Sequence, residues 1–122
     1  MTFSLIGSGW CRPNCNIRSS TCRMNAYRKI QSNYDECRAY CYDESTCSGF
    51  AISVSTYKYP NFCLLYGNIS SETITPKNGW TARPNKNHAP VVSKASGHKG
   101  VRCFKRTGIS YARIFFAYLK YS

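Results

Sequence analysis

The chain has 122 residues, 17 Lys and Arg against five Asp and Glu, a formal net charge of +12 and eight cysteines. That is one domain's length, too short to build an ample core without crosslinks. The even cysteine count points to disulfides and an oxidising, extracellular destination, and no apolar run approaches the ~20 residues that a membrane-spanning helix requires.

Residues 1–10, MTFSLIGSGW, read as an extended lead-in outside the domain proper. They lack a basic n-region and their apolar run is too short for a signal peptide, so the expectation is either a mature form with an added or retained Met1 or a destination other than the extracellular one. Cys11, Cys15 and Cys22 follow in a segment rich in Asn, Arg and Ser, without a periodic pattern, that crosslinks rather than burial are expected to hold. Cys11-x3-Cys15 and Cys37-x3-Cys41 have a spacing that zinc tolerates. Only His88 and His98 offer nitrogen ligands, however, and no clean second C-x2-C half-site exists, so disulfides are expected and neither a metal nor a cofactor. Residues 24–31, MNAYRKIQ, suit a short edge strand with Tyr27 and Ile30 facing inward.

The stretch from Ser32 to Gly67 carries the strongest pattern. Asn33 with Glu36 three places on makes a capping box, which predicts a helix starting near Tyr34, with Asp35 and Glu36 at the positive end of its dipole. Cys37 and Cys41 then share one helical face with Tyr34. Phe50, Ile52 and Val54 alternate with Ala51, Ser53 and Ser55, the period of a half-buried strand. Phe62, Leu64 and Tyr66 form one face of a second strand, with Cys63 and Leu65 on the other.

Beyond Gly67 the chain becomes polar, and Asn68-Ile69-Ser70 is an N-glycosylation acceptor in a secreted eukaryotic protein. Trp80-Thr81-Ala82 predicts a further strand, Arg83 to Pro90 a Pro/Asn/Lys-rich connection, and VVSKASGHKG a mobile loop hinged at Gly97 and Gly100. In the last strand of the domain Val101, Cys103 and Lys105 oppose Arg102, Phe104 and Arg106. Polar groups on both sides predict an edge position. Residues 107–122, TGISYARIFFAYLKYS, form an aromatic extension with a slight bias to strand. It is too apolar for a solvated linker and is expected either to pack back on the domain or to meet another copy.

A helix with C-x3-C (CRAYC), a strand beginning C-x-x-F (CSGF) and a later C-x-L strand (CLL) resemble the PAN/apple domain family over about residues 20–106. The resemblance implies an α+β fold, a small disulfide-rich domain in which a curved antiparallel β-sheet cradles one α-helix, here spanning residues 11–106. It also implies nested core bridges, Cys37–Cys63 and Cys41–Cys47. The other cysteines, Cys11, Cys15, Cys22 and Cys103, admit three pairings between which sequence cannot choose. The family's bridge between the ends of the domain implies that Cys103 takes one of the first three. Its usual spacing favours Cys11–Cys103, which leaves Cys15–Cys22. Family members bind proteins or carbohydrates outside cells.

Charge is unevenly placed: residues 1–72 hold all five acids and seven bases, whereas residues 73–122 hold ten bases and no acid. Such a field speeds encounter with anionic surfaces. Lys94, Lys99, Arg102, Lys105 and Arg106, with His98, are expected to converge on one patch, Arg102 and Arg106 foremost because a guanidinium fork matches carboxylate and sulfate. Trp80 and Tyr57 or Tyr59 are expected as stacking platforms for a sugar ring. Nucleic acid fits the charge but finds no recognition helix, OB-like strand set or Cys/His finger. Enzymatic catalysis is not expected, because oxidised cysteines supply no thiolate, His88 and His98 lack a neighbouring aspartate, and no Gly-rich phosphate loop exists. The expectation is therefore a secreted, non-catalytic recognition or adhesion module for an anionic glycan or acidic extracellular protein. The alternative is a structural subunit that self-assembles through residues 107–122 into an oligomer, sheath or filament.

Overall fold

A computed structural model describes residues 3–16, 18–19, 22–54, 61–67, 79–83 and 91–107. The expectations for Tyr57, Tyr59, Asn68 and all but the first residue of the C-terminal extension fall outside them. Among the described residues nine elements follow in order: β1 (Phe3–Ser8), β2 (Cys11–Arg12), β3 (Ala26–Lys29), α1 (Tyr34–Asp43), β4 (Cys47–Ser53), β5 (Cys63–Gly67), β6 (Thr81–Arg83), β7 (Lys94–Ala95) and β8 (Val101–Arg106). Six strands make one sheet in the order β1-β8-β4-β5-β3-β6, while β2 and β7 pair separately. All pairings are antiparallel. The protein is a small disulfide-rich α+β domain with one helix packed against an antiparallel sheet.

The helix begins where its cap predicts. Asn33 Oδ1 accepts the Glu36 N–H at 2.8 Å, satisfying one of the donors that a first turn leaves free. The reciprocal half of the capping box does not form. Glu36 Oε1 instead accepts from Ser32 Oγ at 3.1 Å and pairs with Lys29 Nζ at 3.1 Å, because β3 presents a cation there. At the other end α1 has no basic residue in its last turn, and the cation comes from β8. Arg106 Nη1 donates to the carbonyls of Cys41 (2.8 Å), Glu44 (2.6 Å) and Cys47 (3.2 Å), and its Nη2 donates to that of Tyr42 at 2.9 Å. The guanidinium thus closes the carbonyl end of the helix, where a positive charge is favoured.

Strand alternation divides the core in two. Phe50 and Ile52 of β4, Cys63 and Leu65 of β5, and Cys37 and Cys41 of α1 form one cluster with Trp80. Ala51, Tyr66, Val101 and Cys103 point to the other face and pack with Cys11, Met24, Ala26 and Val92. The sheet is therefore covered on both sides, by α1 on one and by the β2–β7 ribbon on the other. This corrects several expectations. β4 is buried on both faces rather than half-buried. Gly49 lies where the backbones approach so closely that a Cβ would come within 2.5 Å of the Phe104 carbonyl oxygen. β8 is not an edge but lies between β1 and β4, since the supposed lead-in supplies β1 and covers its outer side. β3 is likewise interior, between β5 and β6, and Ile30 at its end is exposed rather than inward. Residues 91–100 are no free loop, because Val92 is fully buried and Lys94–Ala95 pairs with Cys11–Arg12.

All eight cysteines are crosslinked: Cys11–Cys103, Cys15–Cys22, Cys37–Cys63 and Cys41–Cys47. These are the pairings implied by the family resemblance. Two of them, Cys37–Cys63 and Cys41–Cys47, attach α1 to β5 and β4. Cys11–Cys103 ties the ribbon to β8 across the second core.

Candidate functional site

Of the bases expected to converge, Arg106 is withdrawn from the surface. It is 9% exposed, and carbonyls of the helix terminus occupy its guanidinium. Trp80 is also unavailable as a sugar platform. It is 4% exposed and meets the Tyr40 ring edge-on at 5.2 Å within the first core. Its indole Nε1 has no hydrogen-bond partner there. The sequence signal that misleads in both cases is residue type alone, since strand order decides which aromatic and which Arg are covered.

The remaining bases do not share a face. Arg102 projects on the α1 side of β8, and Lys105, three places along the strand, on the opposite side. Lys94, exposed on β7, donates from Nζ to the Cys15 carbonyl at 2.8 Å. Lys99 stands exposed in the turn before β8, where its carbonyl lies 2.7 Å from His98 Nδ1. Arg12 is buried against Tyr66, and burial lowers the guanidinium pKa and pushes the phenol up.

Arg102 lines a groove, an open depression of about 430 Å³. Three elements converge on it. Asn33 and Tyr34 come from the start of α1, Ile52 and Ser53 from the end of β4 with Val54 just beyond it, and Arg102 and Phe104 from β8, with Asn61 closing the rim. These positions adjoin because Ile52 pairs with Arg102 across the β4–β8 ladder and the Asn61 carbonyl accepts the Ser32 N–H at 2.8 Å just before the helix cap. The wall is stiff. Tyr34 meets Phe104 edge-on at 5.2 Å, and Phe104 stacks on Phe50 at 4.9 Å with planes 15° apart. Tyr34 is nevertheless 42% exposed, so part of its ring faces solvent.

No family model, curated protein or solved structure matches the chain. The functional reading therefore rests on the groove's own chemistry.

Arg102 is exposed and makes no hydrogen bond or ion pair with the described residues. Asn33 gives its Oδ1 to the helix cap, which leaves its amide N–H groups to donate outward. The arrangement offers a bidentate cationic fork, carboxamides and a fixed aromatic edge. It can hold a ligand with an anionic group and an apolar side. Tyr34 and the two asparagines were not singled out in the sequence as binding residues. Asn33 is recognisable there only as a cap, and the proximity of Asn61 arises solely from the fold. Among the described residues no group of three or more His, Cys, Asp or Glu could hold a metal ion, and no helix is long and apolar enough to cross a membrane.

Proposed function

We propose that this protein is an extracellular, non-catalytic recognition module of PAN/apple type that binds an anionic glycan or acidic protein through the groove at Arg102. The observation that carries this reading is the exposed Arg102 guanidinium, which makes no bond with the described residues, on a groove of about 430 Å³ beside the exposed Tyr34 ring. A net charge of +12 attracts anionic surfaces over distance, and the groove selects among them at contact. The four disulfides are in keeping with an oxidising compartment. One isolated module of this size binds modestly, so display of several on one surface would raise avidity.

An array of acidic and neutral glycans and acidic proteins, probed with wild type, Arg102→Ala and Lys105→Ala, tests the proposal. Binding should be confined to acidic ligands, survive Lys105→Ala and fall about tenfold or more with Arg102→Ala. Equal binding by wild type and Arg102→Ala would overturn it.

A second reading, self-assembly, draws on β1. It is an edge of the six-stranded sheet, and its Leu5 side chain is 59% exposed. In that reading a second copy's residues 107–122 or another strand would supply the cover. Sedimentation of the full chain and of a chain ending at Arg106 separates the two readings. A monomer in both cases rejects assembly, whereas a larger species lost on truncation supports it.

A further inference from the structure

Among the described residues, Arg102 is the one base that lines the groove. Arg106 is occupied by the carbonyls at the end of α1, Lys105 stands on the far face of the sheet, and Lys29 is paired with Glu36. The helix turn that starts in the groove bears Asp35, whose charge repels a chain of sulfates or phosphates laid across it. Among the described residues a polyanion therefore finds a single cationic contact in the groove.

The rest of the lining is suited to a ring with hydroxyls. Tyr34, Phe104 and Ile52 provide an apolar wall against which the C–H face of a pyranose packs. Asn33, with its Oδ1 committed to the Glu36 N–H, presents donors. Asn61 holds its backbone at φ 66°, a left-handed conformation that Asn tolerates better than most residues, and stands exposed at the rim. A volume of about 430 Å³ falls near the lower end of the range of about 300–1,000 Å³ for small-molecule pockets, enough to seat one substituted ring.

From this juxtaposition we infer that the groove recognises a single carboxylate-bearing sugar residue, with Arg102 taking the carboxylate as a fork and Tyr34 the apolar face of the ring. This rests on the reading of the groove as an anion-recognition site and narrows it from anionic ligands in general to a monoanionic acidic sugar. A planar carboxylate accepts two parallel N–H bonds from one guanidinium, which is the geometry that a lone Arg offers. Specificity then comes from the ring contacts and the asparagines rather than from summed charge.

The test uses the full chain, isotope-labelled, titrated with a uronic acid glycoside, a sialic acid glycoside, the methyl ester of the uronic acid, and a heparin oligosaccharide. One of the free acids should shift the side-chain signals of Asn33, Asn61 and Arg102. The ester should bind at least about tenfold more weakly, as should Arg102→Ala toward the acid. Salt should weaken acid binding by no more than a few-fold across the ordinary range, as expected for one charge pair. An ester that binds as well as its acid overturns the inference. So does a heparin oligosaccharide that outcompetes both acids, which would leave the broader anionic reading standing if its binding requires Arg102. Failure of every anionic probe to shift the groove residues overturns both. Because Arg102 is exposed, its substitution is not expected to unfold the chain, and an unchanged thermal midpoint checks this directly.

Discussion

Arg102 and Arg106 lie four residues apart in one strand, on the same face, and have different roles. Arg106 reaches the helix terminus and satisfies carbonyls that α1 would otherwise leave unpaired, while Arg102 stops short of it and remains in solvent. Hydrogen bonds from a buried charged donor are individually strong, and their removal leaves several acceptors without a partner. Arg106→Met is therefore expected to destabilise the fold by about 2–4 kcal/mol, whereas Arg102→Met should stay within about 0.5 kcal/mol. Chemical denaturation of both variants decides this, and equal midpoints would remove the structural role assigned to Arg106. Trp80 makes the same point for aromatics, since it is buried against Tyr40 whereas the smaller Tyr34 is half open to solvent.

At the scale of elements, α1 is anchored at both ends by side chains. Replacing Asn33 by Ala removes the N-cap and should cost about 1 kcal/mol, measured by denaturation. The Lys29–Glu36 pair is a smaller effect because it is solvent-exposed, worth less than about 1 kcal/mol. Its pH dependence has a definite sign. The hydrogen bond from Lys29, with help from Ser32, holds Glu36 below the usual carboxylate range, and the same bond raises Lys29. The Glu36 contribution is complete above the unfolded carboxylate value of about 4.3 and is lost as pH falls through the lower folded value. The Lys29 contribution is present below about 10.4 and is lost as pH rises through the higher folded value. The stability difference between wild type and Lys29→Ala should thus be level from about pH 5 to about pH 9 and shrink toward pH 3. A difference that grows on acidification would contradict the pairing.

For the molecule as a whole, the disulfides differ in reach. The Cys11–Cys103 bridge closes a separation of 92 residues and Cys37–Cys63 one of 26, against seven and six for the other two. On loop entropy the first is worth about 4.5 kcal/mol, the second about 3.5 and each short bridge a little over 2. Cys11–Cys103 also fastens the β2–β7 ribbon over the second core, so the Cys11→Ala/Cys103→Ala chain should be the least stable of the four paired deletions by thermal unfolding. If the Cys15→Ala/Cys22→Ala chain unfolds first, that ranking is wrong.

Much of this architecture was legible in the chain because it depends on short-range chemistry. Asn33 caps a helix wherever it stands before such a run, Cys37 and Cys41 share a face by helical period alone, and the two-residue period of β5 assigns Cys63 and Leu65 to one side. What only the tertiary structure decided is which surfaces remain in water. Pairing of Phe3–Ser8 with β8 made an apparent edge strand interior, the ribbon covered the second face of β4, and the end of α1 drew Arg106 out of solvent while leaving Arg102 beside Tyr34, Asn33 and Asn61. Period and composition report what a side chain is and the direction in which it leaves the backbone. Whether it meets solvent, a carbonyl or another ring depends on segments tens of residues away, and that information is carried by strand order and crosslinks rather than by any local pattern.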